Sequence, residues 1–299
     1  MDSEEKSEDI EKKSKKVIKD EEEKLKKHSK PDNQNEKNIV KMNKILSDNN
    51  DEEKVFDLLF VIDATGSMSN YIRAAKDETE NISKELRNLY PEYNFQYGYI
   101  FYRDPIDSPG DKHEIINLTD KVNTLPDEIK KMRAYGGGDL PEDWVGAFKL
   151  ANENINWRNG MKVIIHLADA GAHGKLFTKY DKYPEEENKL IYELERCAEK
   201  GIKIFGYVID YYAQNSFNEC SKIYRRKGGS FEILKFQNIP MESMPMQMMP
   251  PIQMHPSQMM SQMQMMQAPP AMYNQSQMVV NMNFQRNAIQ SIQSIMDKH

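Results

Sequence analysis

Cysteine is scarce in this 299-residue chain, which has only Cys197 and Cys220. Two thiols with no C-x-x-C pairing exclude a disulfide framework and a thiolate metal site. They read as free, partly buried side chains of a reducing compartment. No stretch reaches the roughly 18 apolar residues of a membrane-spanning helix, and the N-terminus is charged rather than apolar. Neither a membrane span nor a signal peptide is therefore expected. A face-sized basic block is also missing. Net charge is −6, and the KKSKK run at 12–16 lies between acidic clusters, which disfavours a nucleic-acid partner. Together these absences make the cytoplasm the expected location.

What is present is unevenly distributed. Residues 1–54 combine 16 Asp/Glu with 14 Lys and almost no aromatic side chain. Such a segment buries too little apolar surface to fold alone and is expected to be disordered or singly helical. Residues 237–283 are a Met/Gln/Pro-rich low-complexity tail, and residues 240–299 hold 15 of the 20 methionines. Flexible Met side chains and Gln/Asn bias suit adaptable contacts and self-association. Residues 284–299 place Phe284, Ala288, Ile292 and Ile295 along one helical face, a short amphipathic helix able to dock on the domain or on a partner. The stretch 55–236 remains. It is of single-domain size and carries the aliphatic and aromatic runs a core needs.

Within that stretch, VFDLLFVID (55–63) reads as a central parallel strand, buried on both faces. A helix follows over 70–89, with Ile72, Ala75, Thr79, Ile82, Leu86 and Leu89 at steps of three and four, and Pro91 stops it. Further strands are expected at 95–102, 114–118, 162–168, 202–209 and 230–234. Further helices are expected at 122–134, 144–155, 185–200 and 216–227. The alternation predicts an α/β fold: a doubly wound, mostly parallel six-stranded sheet flanked by helices. Three apolar strands end in Asp63, Asp169 and Asp210. In such sheets ligands bind outside the carboxyl ends of the strands, which puts Asp63 and Asp169 on the functional rim.

The residues around Asp63 narrow the chemistry. In Asp63-Ala64-Thr65-Gly66-Ser67, a second Asp two positions on is absent, which removes a haloacid-dehalogenase-type phosphatase. The Ser67 context is not G-x-S-x-G, and neither a Walker loop nor G-x-G-x-x-G follows a strand. Oxygen-only groups survive the comparison. Asp63 supplies charge, Thr65 and Ser67 supply hydroxyls, the GGGDLPED loop adds Asp139 and Glu142, and DAGAHG adds Asp169. Such a set suits Mg²⁺ or Mn²⁺ with some retained water. A bland alternative for Asp63 is a helix N-cap. His166, within an apolar strand, reads as a core histidine, and Trp144 as a side chain packed on the sheet.

The DATGSMS run resembles the metal-ion-dependent adhesion site, D-x-[ST]-x-S, of von Willebrand factor type A domains, and the likeness covers residues 55–236. GGGDLPED is similar to the G-G-D-x-P-E loop in the type A domain of amoebozoan α-kinases. It is less similar to the D-x-P-E loop of integrin β I-like domains. The resemblance implies Asp63, Thr65 and Ser67 as first-loop ligands, Glu142 as the second-loop ligand with Asp139 as its neighbour, and Asp169 as the third-loop carboxylate. It places Asp104 at an additional cation position and gives His173 a loop-shaping role. Asn70 and Tyr71 replace the acidic pair of a third integrin-type site, which is expected to be absent.

The function these residues imply is a non-enzymatic module that holds Mg²⁺ or Mn²⁺ and engages a protein partner through that partner's carboxylate. The alternative is a regulatory protein related to the type A α-kinases, since no segment here has the size or composition of their catalytic domain.

Overall fold

The computed structural model describes residues 54–105, 110, 112–138, 140–235 and 270–298. The N-terminal charged segment and most of the Met/Gln/Pro tract lie outside the described residues. Six strands form one sheet in the order β3-β2-β1-β4-β5-β6. They are β1 (Lys54–Asp63), β2 (Tyr93–Tyr102), β3 (Glu114–Thr119), β4 (Met161–Ala168), β5 (Lys203–Val208) and β6 (Phe231–Lys235). All neighbours are parallel except β3, which runs antiparallel along β2 at the edge. The doubly wound α/β fold expected from the alternation is the fold observed.

The helices are α1 (Ser69–Leu89), α2 (Leu125–Ile129), α3 (Trp144–Glu153), α4 (Glu186–Glu199), α5 (Gln214–Arg226) and α6 (Pro270–Met296). Strand alternation sorts β1 between two cores. Phe56, Leu58, Phe60 and Ile62 face α1, α2 and α6, while Leu59 and Val61 face α3, α4 and α5. Fully burying each such side chain contributes about 1.5–3 kcal/mol. Trp144 is buried against His166 and Phe217. His166 is buried in the second layer, where burial pulls its pKa down to about 3 and keeps the ring neutral.

Two elements differ from the sequence expectation. The helix expected over 122–134 ends at Ile129. Beyond it the chain is drawn out toward β1, where the Tyr135 N–H donates to Ala64 O at 3.1 Å. The C-terminal helix starts at Pro270, well before residue 284, so it begins inside the Met/Gln/Pro tract. Its Phe284, Ala288, Ile289, Ile292 and Ile295 are buried in the first core. Phe284 stacks on Phe60 at 5.5 Å, and the Tyr207 hydroxyl donates to Asn287 O at 2.7 Å.

At the amino ends of the strands, Asp57 is fully buried within β1. The Arg158 main-chain N–H and Nε–H each donate to its carboxylate at 2.7 Å, which satisfies a charge the apolar run otherwise could not hold.

Candidate functional site

The parallel pairing of β1 with β4 puts Asp63 and the turn beginning at Asp169 side by side at the carboxyl end of the sheet. There the strand order turns from β1 outward in both directions. Asp63 is fully buried. Its Oδ1 accepts the Thr65 N–H at 2.9 Å, and its Oδ2 receives no hydrogen bond. Burial, followed by the nearby Asp169 charge, pushes the Asp63 pKa up to about 7 despite the Thr65 N–H. The Asp63 carboxylate caps no helix: the turn Gly66–Met68 and α1 both begin without a side-chain cap. Thr65 is buried and Ser67 exposed, with their hydroxyl oxygens 3.4 Å apart.

The glycine loop closes over this turn. Gly66 N–H donates to Gly136 O at 3.4 Å. Gly137 has φ +87°, and a Cβ there would lie 3.2 Å from Thr65 Cβ and 3.7 Å from Glu142 Oε1, so only glycine lets the loop approach. Glu142 is buried, and its N–H donates to Gly171 O at 2.8 Å, which fastens the second loop to the third. The next residue, Asp143, caps α3 through the Gly146 N–H at 2.7 Å and pairs with His113 Nε2 at 2.9 Å. Asp139 lies outside the described residues.

Sequence reasoning missed Tyr102. It pairs with Asp63 in the β1–β2 register and is fully buried. Its phenol is 3.0 Å from His166 Nε2. Burial and then the charges of Asp63, Glu142, Asp169 and Asp143 all raise its pKa, which keeps the hydroxyl neutral. Nothing local in YRDP marks Tyr102; only the strand register could have found it.

Asp104 and His173 meet each other. His173 Nε2 is 2.9 Å from Asp104 Oδ2, and its Nδ1 is 2.8 Å from Asp181 Oδ1. Burial pulls the His173 pKa down, but the hydrogen bonds and charges of the two carboxylates outweigh it and push the value up to about 9. The two carboxylates thus favour the imidazolium form of His173 between them.

Among the described residues, no three His, Cys, Asp or Glu side chains stand together as a metal-binding group. The donor set that the three loops offer is Asp63, Thr65, Ser67, Glu142 and Asp169. It is oxygen-only and partly hydroxyl, and it includes a buried carboxylate oxygen with no donor, a composition that fits a hard divalent cation.

A family match agrees with the fold. The family model "von Willebrand factor A domain" matches residues 57–181. Alpha-protein kinase vwkA of Dictyostelium discoideum is 32% identical over 130 residues, which are 43% of this chain and 20% of that protein. The putative ariadne-like RING finger protein R811 of Acanthamoeba polyphaga mimivirus is 32% identical over 147 residues, 47% of this chain and 13% of that one. The likeness thus spans a fifth or less of either relative. Among solved structures, the pilus adhesin SpaC from Lactobacillus rhamnosus GG aligns with a TM-score of 0.43 at 15% identity, covering 61% of this chain and 28% of its own. Residues 57–181, which carry most of β1 and all of β2 to β4 of the sheet, thus match the von Willebrand factor A domain family.

Proposed function

We propose that this domain is a divalent-cation-dependent protein-interaction module. Domains of this family are typically protein-interaction modules. In this reading Asp63, Thr65, Ser67, Glu142 and Asp169 hold Mg²⁺ or Mn²⁺, and a partner's carboxylate completes the coordination. The observation that carries it is Asp63: a fully buried carboxyl group with one oxygen lacking any donor, pushed up to about 7 by burial and by Asp169. A bound cation supplies the positive charge that this pair lacks. The Gly137 approach and the Glu142–Gly171 hydrogen bond bring the three loops to one place without it. Among the described residues no helix is long and apolar enough to cross a membrane.

Titration calorimetry of the full chain with Mg²⁺ and Mn²⁺ tests the reading. Binding heat that disappears in Asp63→Ala supports it; no heat with either ion defeats it. The identity with alpha-protein kinase vwkA favours a second reading, a regulatory protein of a kinase system. Our proposal is that the chain acts by binding and not by catalysis. Phosphate transfer from labelled ATP by the purified chain would reverse that assignment.

A further inference from the structure

Nine large apolar side chains are exposed among the described residues, and six of them stand on the loops around the candidate site: Tyr135, Leu140, Leu176, Tyr180, Tyr211 and Tyr212. Scattered exposed apolar groups are ordinary, but their concentration at one end of a sheet is not. Tyr180 is 86% exposed, Tyr211 71% and Tyr212 47%.

The loops that carry them are fixed to one another. Asn215 Nδ2 donates to Leu176 O at 3.1 Å and to Phe177 O at 2.7 Å, which ties the β5–α5 turn to the β4–α4 loop. Ser216 Oγ accepts the Ala172 N–H at 2.9 Å. The Tyr211 and Tyr212 rings lie against each other with centroids 3.9 Å apart, and the Arg103 guanidinium lies 4.0 Å from the Tyr135 ring centroid. Aromatic side chains held in this way lose little conformational freedom on contact, which is why tyrosine is favoured in binding surfaces.

Exposed lysines also stand on this side. Lys175 and Lys179 are exposed beside Leu176 and Tyr180, with Lys179 Nζ 5.2 Å from the Tyr180 ring centroid. Two nearby acids accept backbone N–H groups. Glu187 Oε2 accepts the Leu176 N–H at 2.8 Å, and Asp210 Oδ1 accepts the Tyr212 N–H at 3.4 Å.

We propose that this tyrosine- and lysine-bearing side of the rim receives an acidic protein segment with aromatic or aliphatic side chains next to its carboxylates. One carboxylate of that segment would reach the cation of the preceding section, on which this part of the inference rests. The apolar neighbours would lie on Tyr180, Tyr211 and Tyr212, and further acidic groups would face Lys175 and Lys179.

A random 12-residue peptide display library, selected on the full-length wild-type chain in Mg²⁺, provides the probe. Selected clones are expected to share Asp or Glu beside an aromatic or aliphatic residue. They should lose about tenfold or more in affinity on the triple variant Tyr180→Ala/Tyr211→Ala/Tyr212→Ala, and weaken on Lys175→Glu/Lys179→Glu. Neither variant touches the proposed ligands, so the Mg²⁺ heat and the melting temperature of each should match wild type. Clones that bind the triple variant as tightly as wild type, or a consensus without acidic residues, would overturn the proposal. A concentration-dependent dimer abolished by the triple variant would assign the surface to a second copy and equally overturn it. The two readings fail separately. Normal Mg²⁺ heat with tyrosine-independent peptide binding sinks only this one. Absent heat with acidic, tyrosine-dependent binding sinks only the cation.

Discussion

At the scale of single residues, the site turns on Asp63, a carboxyl group placed where water cannot reach it. Asp63 has a folded pKa of about 7 against an ordinary value of 3.8. Without a cation, its contribution to stability is fully present below about pH 3.8 and is lost as pH rises through 7. Asp63→Asn should therefore be more stable than wild type at pH 8 in EDTA, with the difference vanishing toward pH 4. Urea midpoints across that range measure it, and a less stable variant at pH 8 would contradict the burial argument. His173 runs over a different window. Its folded pKa of about 9 exceeds the ordinary 6.5, so its ion pairs stabilise fully below 6.5 and lose that contribution as pH rises through 9. His173→Gln should remove this part of the pH dependence, visible as a flatter melting temperature between pH 6.5 and 9. Asp63 and Asp169 could be read from the sequence because each ends an apolar strand, and strand ends share one rim. The Asp104–His173 and Arg158–Asp57 pairs could not, since their partners are 69 and 101 residues apart and no periodicity encodes them.

Among the elements, the strands and the long helices were legible to within a few residues, because buried parallel strands and amphipathic helices write their partners into their own periodicity. The expected strand at 55–63 is Lys54–Asp63, and the expected helix at 70–89 is Ser69–Leu89. Two elements were shaped by distant contacts instead. The stretch after Ile129 forgoes helix to supply backbone bonds to the first loop. In α6, apolar residues are interleaved with Gln, Asn and Ser, so the pattern shows its face only once the sheet supplies a surface. That helix belongs to the core as much as α1 does. Phe284→Ala should cost about 3–5 kcal/mol through lost burial and the cavity left against Phe60. Chemical denaturation gives the value. A change below about 1 kcal/mol would mean that the helix does not hold the sheet face in solution.

For the molecule as a whole, cation binding and folding are linked equilibria. If the folded domain binds Mg²⁺ and the unfolded chain does not, a concentration 100 times the dissociation constant adds about 2.7 kcal/mol of stability. The expected observation is a rise of several degrees in melting temperature for wild type and none for Asp63→Ala, read by calorimetry with and without EDTA. The docking of α6 bears on where the domain stops. The composition of the chain changes after residue 236, and the family match ends at residue 181, yet Phe60 and Tyr207 have partners beyond residue 283. A fragment trimmed at either of those apparent borders would turn an oily wall toward water. Poor recovery of such a fragment would then reflect the missing lid of its interior and not any defect in the metal-facing loops.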